Sequence, residues 1–245
     1  MAVLVSAFLS NVNHKYDNTL ERYYRLGNLF LQSPVRKIVF VDDAMRACIG
    51  NDFDPAHTVL VTVAKEALYL QDYAASLSEF DVHSTDKTKD TQEFMFTMCG
   101  KTEWVRKAIE QRPFDCDHYV WVDFGIRHVF KCGDEAFQKK LEALSAKPCT
   151  RDGAVRIGGI WNLANRYDFD VYKDVAWYFA GGVFGGRSDV LIAFAEAMKR
   201  KCVEIMTTKK TIMWEVNVWY LLHLDGSVQF DVYKCDHNDS LVENY

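Results

Sequence analysis

The sequence predicts an α/β fold in which strands and helices alternate around a mainly parallel sheet. Two observations support this prediction. Short runs of β-branched and apolar residues at 2–9, 37–41 and 57–63 have the length and composition of buried strands. Between the first two runs, residues 20–31 carry apolar side chains at roughly helical spacing and stop before Pro34. Such alternation is expected of βαβ units, whose strands lie parallel in one sheet.

The remaining elements are predicted by the same criteria. Further strands are expected at 118–122, 155–161, 175–184 and 228–233, and further helices at 91–111, 188–206 and 214–224. Gly100 is a point at which the helix at 91–111 could break, and the polar residues of 66–90 indicate loop and a short helix. Because no repeat or linker divides the chain, we expect one domain.

Composition narrows the class of protein. The 245 residues are 49% hydrophobic, which is enough for the core of one large domain, and the net charge of −5 argues against a nucleic-acid partner.

Seven scattered cysteines without a CxxC pair predict free thiols in a reducing compartment. The apolar stretch at the amino terminus, about nine residues long, is too short for a membrane span and lacks the basic residues of a secretory signal. We therefore expect a cytoplasmic protein with no membrane span.

The strand predicted at 118–122 leads directly to Asp123, Phe124 and Gly125. A protein kinase also carries Asp-Phe-Gly, but it requires a glycine-rich loop, a VAIK-like lysine and an HRD-like loop upstream, and the sequence has none of them. Ligands of open α/β sheets lie beyond the carboxyl ends of the strands, where a carboxylate can bind a divalent cation that neutralises a diphosphate. Gly125 would let the backbone approach such a ligand. A capping or turn aspartate is the equally compatible alternative.

A segment with four glycines, AGGVFGGR at 180–187, follows an apolar run. Gly181, Gly182, Gly185 and Gly186 lack the spacing of a phosphate-binding loop that opens a helix. Close approach of the backbone to a bulky polar ligand such as a sugar is one interpretation. A bulge and tight turn before the helix at 188 is the other.

Four more polar residues are candidates for chemistry. Glu215 lies among large apolar residues at a predicted helix start, where it could act as a proton acceptor or simply cap the helix. Asp236 and His237 follow the last strand and could complete a metal site with Asp123, although a histidine near a terminus is more often a surface residue. Lys101 could reach a phosphate from its helix or belong to an ordinary solvated face.

Taken in order along the chain, these segments resemble the HtrL/YibB-like family of glycosyltransferases. The matching stretches are TMCGKTEWVRKAIEQ, HYVWVDFGIRH, YFAGGVFGGRSDVL, TIMWEVNVWYLLHLD and VYKCDHND, and the resemblance extends over roughly 6–237. It implies a single GT-A-type, Rossmann-like domain spanning 1–245, with a mixed, mainly parallel sheet flanked by helices. Residues 1–125 would form the half that binds the nucleotide sugar, and 126–245 the half that binds the acceptor.

The resemblance also implies roles for individual residues. Lys101 takes the place of the family's helix lysine, a phosphate contact; Asp123 takes that of the strand-end acid; and Glu215 takes that of an acid at a helix start, with different neighbours. The implied donor site comprises Ala7, Phe8, Asn11, Asp42, Asp43, Lys101, Asp123, Gly125, Gly181, Gly182, Gly185 and Gly186.

The resemblance also bears on metal binding. Asp123 and His237 are the expected ligands of Mn²⁺ or Mg²⁺, but many GT-A enzymes have a second acid where this chain has Gly125. The Asp-x-Asp at 115–117 precedes the strand and is expected at the opposite edge of the sheet.

The sequence therefore leads to one main functional hypothesis. A sugar is transferred from a nucleoside-diphosphate sugar, expected to be a UDP-sugar, to a hydroxyl of a glycan or glycoprotein. Glu215 would be the general base if the anomeric centre inverts, and it would steady the donor sugar if the configuration is retained. The alternatives are a non-catalytic nucleotide-sugar-binding module and a nucleotidyltransferase-type enzyme acting on sugar nucleotides.

Overall fold

The structure is a computed structural model that describes residues 1–10, 20–64, 68–84, 86–147 and 152–245. Within these residues, no helix is both long and apolar enough to cross a bilayer. The described part of the chain is organised around one sheet, to which both the amino-terminal and the carboxyl-terminal halves contribute strands.

Seven strands form this sheet in the order β3-β2-β1-β4-β6-β5-β7. The strands are β1 (Val3–Phe8), β2 (Lys37–Val41), β3 (Thr58–Thr62), β4 (His118–Val122), β5 (Val155–Gly159), β6 (Phe179–Arg187) and β7 (Phe230–Lys234). Strand β6 runs antiparallel to both of its neighbours, and every other pair is parallel. The predicted α/β class with a mixed, mainly parallel sheet flanked by helices is confirmed.

The helices lie between the strands along the chain. They are α1 (Leu20–Leu31), α2 (Asp43–Ile49), α3 (Tyr69–Ala75), α4 (Gln92–Cys99), α5 (Lys101–Gln111), α6 (Asp134–Ala146), α7 (Ser188–Lys209), α8 (Glu215–Leu224) and α9 (Ser240–Glu243), with a 3₁₀ helix at Ile126–Val129. The helix predicted at 91–111 is two helices, because the chain breaks at Gly100. Helices α2, α6 and α9 were not predicted, although α6 buries Phe137, Leu141 and Leu144 at helical spacing.

The glycine segment at 180–187 is part of a strand. This corrects the bounds of the strand predicted at 175–184, and it rules out the interpretation of the glycines as a bulge and tight turn. Strand β6 begins at Phe179 and continues through Gly185 and Gly186 to Arg187. Gly185 pairs with β4 on one side and β5 on the other, so the segment lies inside the sheet. A glycine run is a weak strand former by composition, and its pairing with two neighbours overrides that preference.

Apolar side chains cover both faces of the sheet. One face packs against helices α5, α7 and α8, and the other packs against α1, α6 and α9. Strand β2 is buried along its whole length, as expected for a strand in the parallel part of a sheet with helices on both sides.

The topology brings the ends of three strands together. Strands β1 and β4 are adjacent and parallel, so their carboxyl ends share one edge of the sheet. Antiparallel β6 begins at that same edge, where the backbone N–H of Asp123 donates to the carbonyl of Gly182 at 3.0 Å. Phe124 fixes the turn after β4 by packing against α1, since a Cβ on Gly27 would lie 2.1 Å from its ring. The segment that follows β4 is therefore held between β6 and α1.

Candidate functional site

A cavity of about 500 Å³ lies at the carboxyl ends of β1 and β4. Its wall is formed by the ends of these strands, the start of β6, the beginnings of α5 and α8, and the turn that follows β7. A cavity of this size at the strand ends of an open α/β sheet is typical of a site for a small molecule.

A buried ion cluster forms the floor of the cavity. The Nζ atom of Lys101 donates to Oδ2 of Asp123 at 3.2 Å, to Oε1 of Glu215 at 2.8 Å and to the carbonyl oxygen of Gly181 at 3.0 Å, and it lies 3.0 Å from Oδ1 of Asp123. These acceptors use the three N–H groups of the ammonium. The side chains of Lys101 and Glu215 are each 3% exposed, whereas that of Asp123 is 37% exposed. Asp123 is therefore the member of this cluster, called here the Lys101 cluster, that a ligand can reach.

Local structure explains how these residues meet. The break at Gly100 makes Lys101 the first residue of α5, and Glu215 is the first residue of α8. Gly181 leaves the space that the carboxylate of Glu215 occupies, because a Cβ there would lie 2.4 Å from Oε1 of Glu215. The glycine at this position is thus required by the ion pair as well as by the shape of the cavity.

The carboxylate of Asp123 is also oriented by its own strand. Nε1 of Trp121 donates to Oδ1 of Asp123 at 2.7 Å, and the buried indole stacks on Phe184 with a centroid separation of 6.2 Å. Sequence reasoning missed Trp121. Strand alternation could have found it, since residues two apart along a strand point to the same face of the sheet.

Opposing effects determine the charge state of Lys101. Burial by itself lowers the pKa of Lys101, but the negative charges of Asp123 and Glu215 outweigh it and raise the pKa above its ordinary value. The ammonium therefore stays charged, and two carboxylates share one cation. The cluster has one negative charge in excess, presented to the cavity through Asp123.

The cavity has an aromatic group at each end. At the β1 end, defined by Phe8, Tyr23 and Phe124, the ring of Phe8 lies 4.7 Å from Tyr23 and 5.6 Å from Phe124. Burial raises the pKa of the Tyr23 phenol above its ordinary value, with Arg22 opposing the shift and Asp123 adding to it. At the α8 end, Phe94 and Trp214 meet edge to face at 5.2 Å. The Lys101 cluster joins the two ends, because Asp123 adjoins Phe124 in the chain and Glu215 adjoins Trp214.

His237 also lines the cavity, beside the turn that follows β7. Its ring packs edge-on against Trp177 at 4.6 Å, and this partial burial lowers the pKa of the imidazole, with Asp236 opposing the shift and His128 adding to it. Asp236 is exposed, and its carboxylate accepts the backbone N–H of His237. Only the histidine of this pair faces the cavity.

Asp123 and His237 are the predicted ligands of a divalent cation. Asp123 has exposed carboxylate oxygens and His237 has a ring nitrogen, but no three His, Cys, Asp or Glu residues in the described ranges form a group that could hold a metal ion. Mg²⁺ is commonly bound by one or two protein ligands together with substrate phosphates and water. In the described part of the chain the cavity therefore offers these two protein ligands, fewer than a metal site built by the protein alone would need.

The structure brings most of the predicted site residues to this cavity. The predicted residues that line it are Ala7, Phe8, Lys101, Asp123, Gly125, Gly181, Gly182, Glu215 and His237. Asn11 lies outside the described residues.

Four predicted donor-site residues do not line the cavity. Asp42 is buried, accepts hydrogen bonds from the backbone N–H and hydroxyl of Ser10 at 2.7 and 2.6 Å, and caps α2. Asp43 is an exposed residue at the start of that helix. Gly185 and Gly186 are buried in the middle of the sheet. The structure places these four residues away from the cavity, at strand and helix positions that the sequence alone did not show.

The Asp-x-Asp at 115–117 lies where the sequence predicted. It precedes β4 at the end of the strand opposite to Asp123, and both of its carboxylates face Arg112 at 3.4 Å. This exposed pair belongs to the other edge of the sheet and takes no part in the cavity.

Two neighbouring glycines offer a matched test of this geometry. Gly181→Ala is expected to lower the free energy of unfolding by about 1–3 kcal/mol, because the new methyl group collides with Glu215. Gly182→Ala should change it by less than about 0.5 kcal/mol, since the nearest side-chain atom is 3.6 Å away. Urea unfolding followed by circular dichroism measures both variants. Equal effects of the two substitutions would show that Gly181 is not needed to seat Glu215.

Comparisons by sequence find no relatives. No family model matches the chain, and no curated protein matches it.

Comparisons by structure find likenesses over nearly the whole chain. Mouse xyloside xylosyltransferase 1 in its apo form is 9% identical with a TM-score of 0.47, covering 94% of this chain and 84% of that chain. Rv0371C from Mycobacterium tuberculosis H37Rv, in complex with manganese, is 12% identical with a TM-score of 0.38, and the match covers 96% of this chain and 87% of that chain. The 4-diphosphocytidyl-2C-methyl-D-erythritol synthase from Anaerococcus prevotii DSM 20548 is 8% identical with a TM-score of 0.43, and the match covers 96% of this chain and 86% of that chain. At such identities, function has to be argued from the residues of the cavity.

Proposed function

We propose that this protein is a glycosyltransferase of the HtrL/YibB-like type, which moves a sugar from a nucleoside-diphosphate sugar, expected to be a UDP-sugar, to a hydroxyl of a glycan or glycoprotein. The charge of the cavity is the observation that carries the proposal. Three cationic side chains, Arg22, Lys89 and Lys101, and two carboxylates, Asp123 and Glu215, line the cavity of a chain whose net charge is −5. The charge of Lys101 is taken up by the two carboxylates, so the cationic group offered to an anionic ligand is Lys89, while Asp123 offers a carboxylate to a bridging cation.

The β1 end suits the nucleoside of the donor. Phe8 and Tyr23 present aromatic surface on which a base can stack. Gly125 lies beside them, and a Cβ there would come within 3.3 Å of the Tyr23 ring. A nucleoside bound at this end would direct its diphosphate towards Asp123, which lies next along the cavity floor. The division in which 1–125 holds the donor and 126–245 the acceptor stays a prediction, and Lys89 and Phe94 of the first half line the opposite end of the cavity.

Asp123 and His237 are the residues that would hold Mn²⁺ or Mg²⁺. When bound, such an ion neutralises charge on the leaving diphosphate. The contribution of the chain itself is to fix the carboxylate of Asp123, which Trp121 and Lys101 hold by hydrogen bonds at 2.7 Å and 3.2 Å. Orienting contacts of this kind strengthen a ligand by preventing its rotation.

Lys101 and Glu215 support Asp123 from below the cavity surface. A direct contact between Lys101 and a phosphate would require one of its three hydrogen bonds to be exchanged. Glu215 would likewise have to leave its ion pair before it could accept a proton from an acceptor hydroxyl, as a general base must. Its burial therefore favours a positioning role, in which Glu215 holds Lys101 and Lys101 holds Asp123.

Calorimetric titration tests the proposal. Uridine, guanosine, cytidine and adenosine diphosphates and their sugars should be titrated with and without Mn²⁺, followed by an assay of donor hydrolysis. We expect a UDP-sugar to bind, more tightly with the metal, and to be hydrolysed slowly without an acceptor. Absence of binding by every diphosphate and diphosphate sugar would refute the proposal. Binding without hydrolysis or transfer would indicate a binding module, and release of pyrophosphate from a nucleoside triphosphate and a sugar phosphate would indicate a nucleotidyltransferase.

A further inference from the structure

Lys89 places its ammonium at the α8 end of the cavity, on the ring of Trp214. Its side chain is half-buried and lines the cavity, with Nζ 4.2 Å from the centroid of the Trp214 ring. Among the residues that the structure describes, no carboxylate lies within ion-pairing distance of this ammonium. Lys87, two residues earlier, differs in this respect, since it is exposed and pairs with Asp81 at 2.7 Å. Lys89 therefore carries a positive charge into the cavity with no counter-ion among the described residues.

The indole under Lys89 is held in place by its neighbours. Nε1 of Trp214 donates to Oδ2 of the buried Asp90 at 3.3 Å, and Phe94 packs against the ring. Trp214 itself is half-buried and lines the cavity. A fixed aromatic surface of this kind can pack against the C–H face of a sugar, as aromatic rings pack against other apolar groups.

The contact between Lys89 and Trp214 is one that a ligand can replace. A cation resting on an aromatic ring is held more weakly than one that donates a hydrogen bond to an anion. The ammonium of Lys89 can turn on its flexible stem, so an anionic group entering this end of the cavity would draw it from the ring. A neutral ligand would give Lys89 no stronger partner than the one it already has.

We propose that the α8 end binds an acceptor sugar that carries an anionic group, either a carboxylate or a phosphate, and that Lys89 binds this group. The inference rests on the proposed function, which assigns the β1 end to the donor nucleoside and Asp123 to its diphosphate. The acceptor then occupies the remaining end of the cavity, where Trp214 adjoins the Lys101 cluster. Lys89 thereby selects acidic over neutral acceptors.

Titrations with three simple sugars test this inference. Methyl glucoside, glucuronate and glucose 6-phosphate are titrated into the free protein and into protein saturated with UDP, and binding is followed by calorimetry and by tryptophan fluorescence. We expect at least one of the two anionic sugars to bind about tenfold or more tightly than methyl glucoside. Lys89→Gln should abolish this preference, and Lys89→Arg should retain it.

Lys107→Gln is the matched control, because Lys107 also rests on an indole, that of Trp104 at 4.8 Å, but does not line the cavity. It should leave the preference unchanged. Equal binding of all three sugars, or a preference that survives Lys89→Gln, would overturn the inference. A preference for only one anionic sugar identifies whether carboxylate or phosphate is recognised. Failure of UDP to bind would instead count against the proposed donor site, and the titrations of the free protein would still decide the role of Lys89.

Discussion

Replacing Lys101 with methionine is expected to lower the free energy of unfolding by about 3–5 kcal/mol. The substitution leaves two carboxylates beside each other, and that of Glu215 is only 3% exposed. A buried charge that loses its partner keeps the cost of desolvation without the compensating attraction. Urea unfolding at neutral pH measures the change, and the midpoint of thermal unfolding should fall by on the order of 10 °C for a chain of this size.

Two further variants separate this effect from the mere loss of a lysine. Lys139→Met removes a lysine from an exposed pair with Glu135, whose side chains are 70% and 83% exposed, and should change the stability by less than about 0.5 kcal/mol. Combining Lys101→Met with Glu215→Gln should restore part of the lost stability, because it removes the buried unpaired charge. A loss below about 1 kcal/mol for Lys101→Met would mean that the cluster does not depend on its cation.

Replacing Asp123 with asparagine is expected to weaken the binding of UDP in the presence of Mn²⁺ by at least about tenfold. Asparagine keeps the shape of the side chain and can still accept the hydrogen bond from Trp121, but it lacks the charge that holds a cation. Without metal the effect should have the opposite sign or vanish, since the negative Asp123 otherwise repels the diphosphate. Calorimetric titration of UDP with and without Mn²⁺ measures both effects.

The control for this prediction is Asp43→Asn, which makes the same chemical change at another position after a strand. Asp43 is exposed and does not line the cavity, so the affinity for UDP should stay within about twofold of the unmodified protein. If Asp123→Asn lowered the affinity for UDP equally with and without Mn²⁺, Asp123 would be a direct contact of the nucleotide and not a metal ligand.

Much of the fold could be predicted from the chain because its elements carry local signals. The continuous apolar run of β2, the helical spacing of α1 and the run that ends at Asp123 each identify an element from its own residues. The location of Asp123 at a strand end also follows from the chain, and the carboxyl ends of parallel strands meet by geometry. Sequence order was therefore sufficient to place Asp123 and Glu215 among the candidates, whereas Lys101 was singled out only by the resemblance to a known family.

The partners of these residues depend on contacts between segments far apart in the chain. Lys101 and Glu215 are separated by 114 positions, and no local pattern shows that a lysine on one helix neutralises an acid on another. The same reason explains why two aspartates that directly follow strands have different environments. Asp42 accepts a hydrogen bond from Ser10 and caps a helix, whereas Asp123 faces a cavity.

The chain alone was enough to predict the α/β class, the succession of most strands and helices, and the polar residues from which a site could be built. The folded arrangement was needed to show that Gly181 makes room for the carboxylate of Glu215, that Trp121 orients Asp123, and that Lys89 has no ionic partner among the described residues. The physical reason is that secondary structure follows from the spacing of side chains along the chain, whereas charge pairing and burial depend on which distant segments the sheet brings within hydrogen-bonding distance.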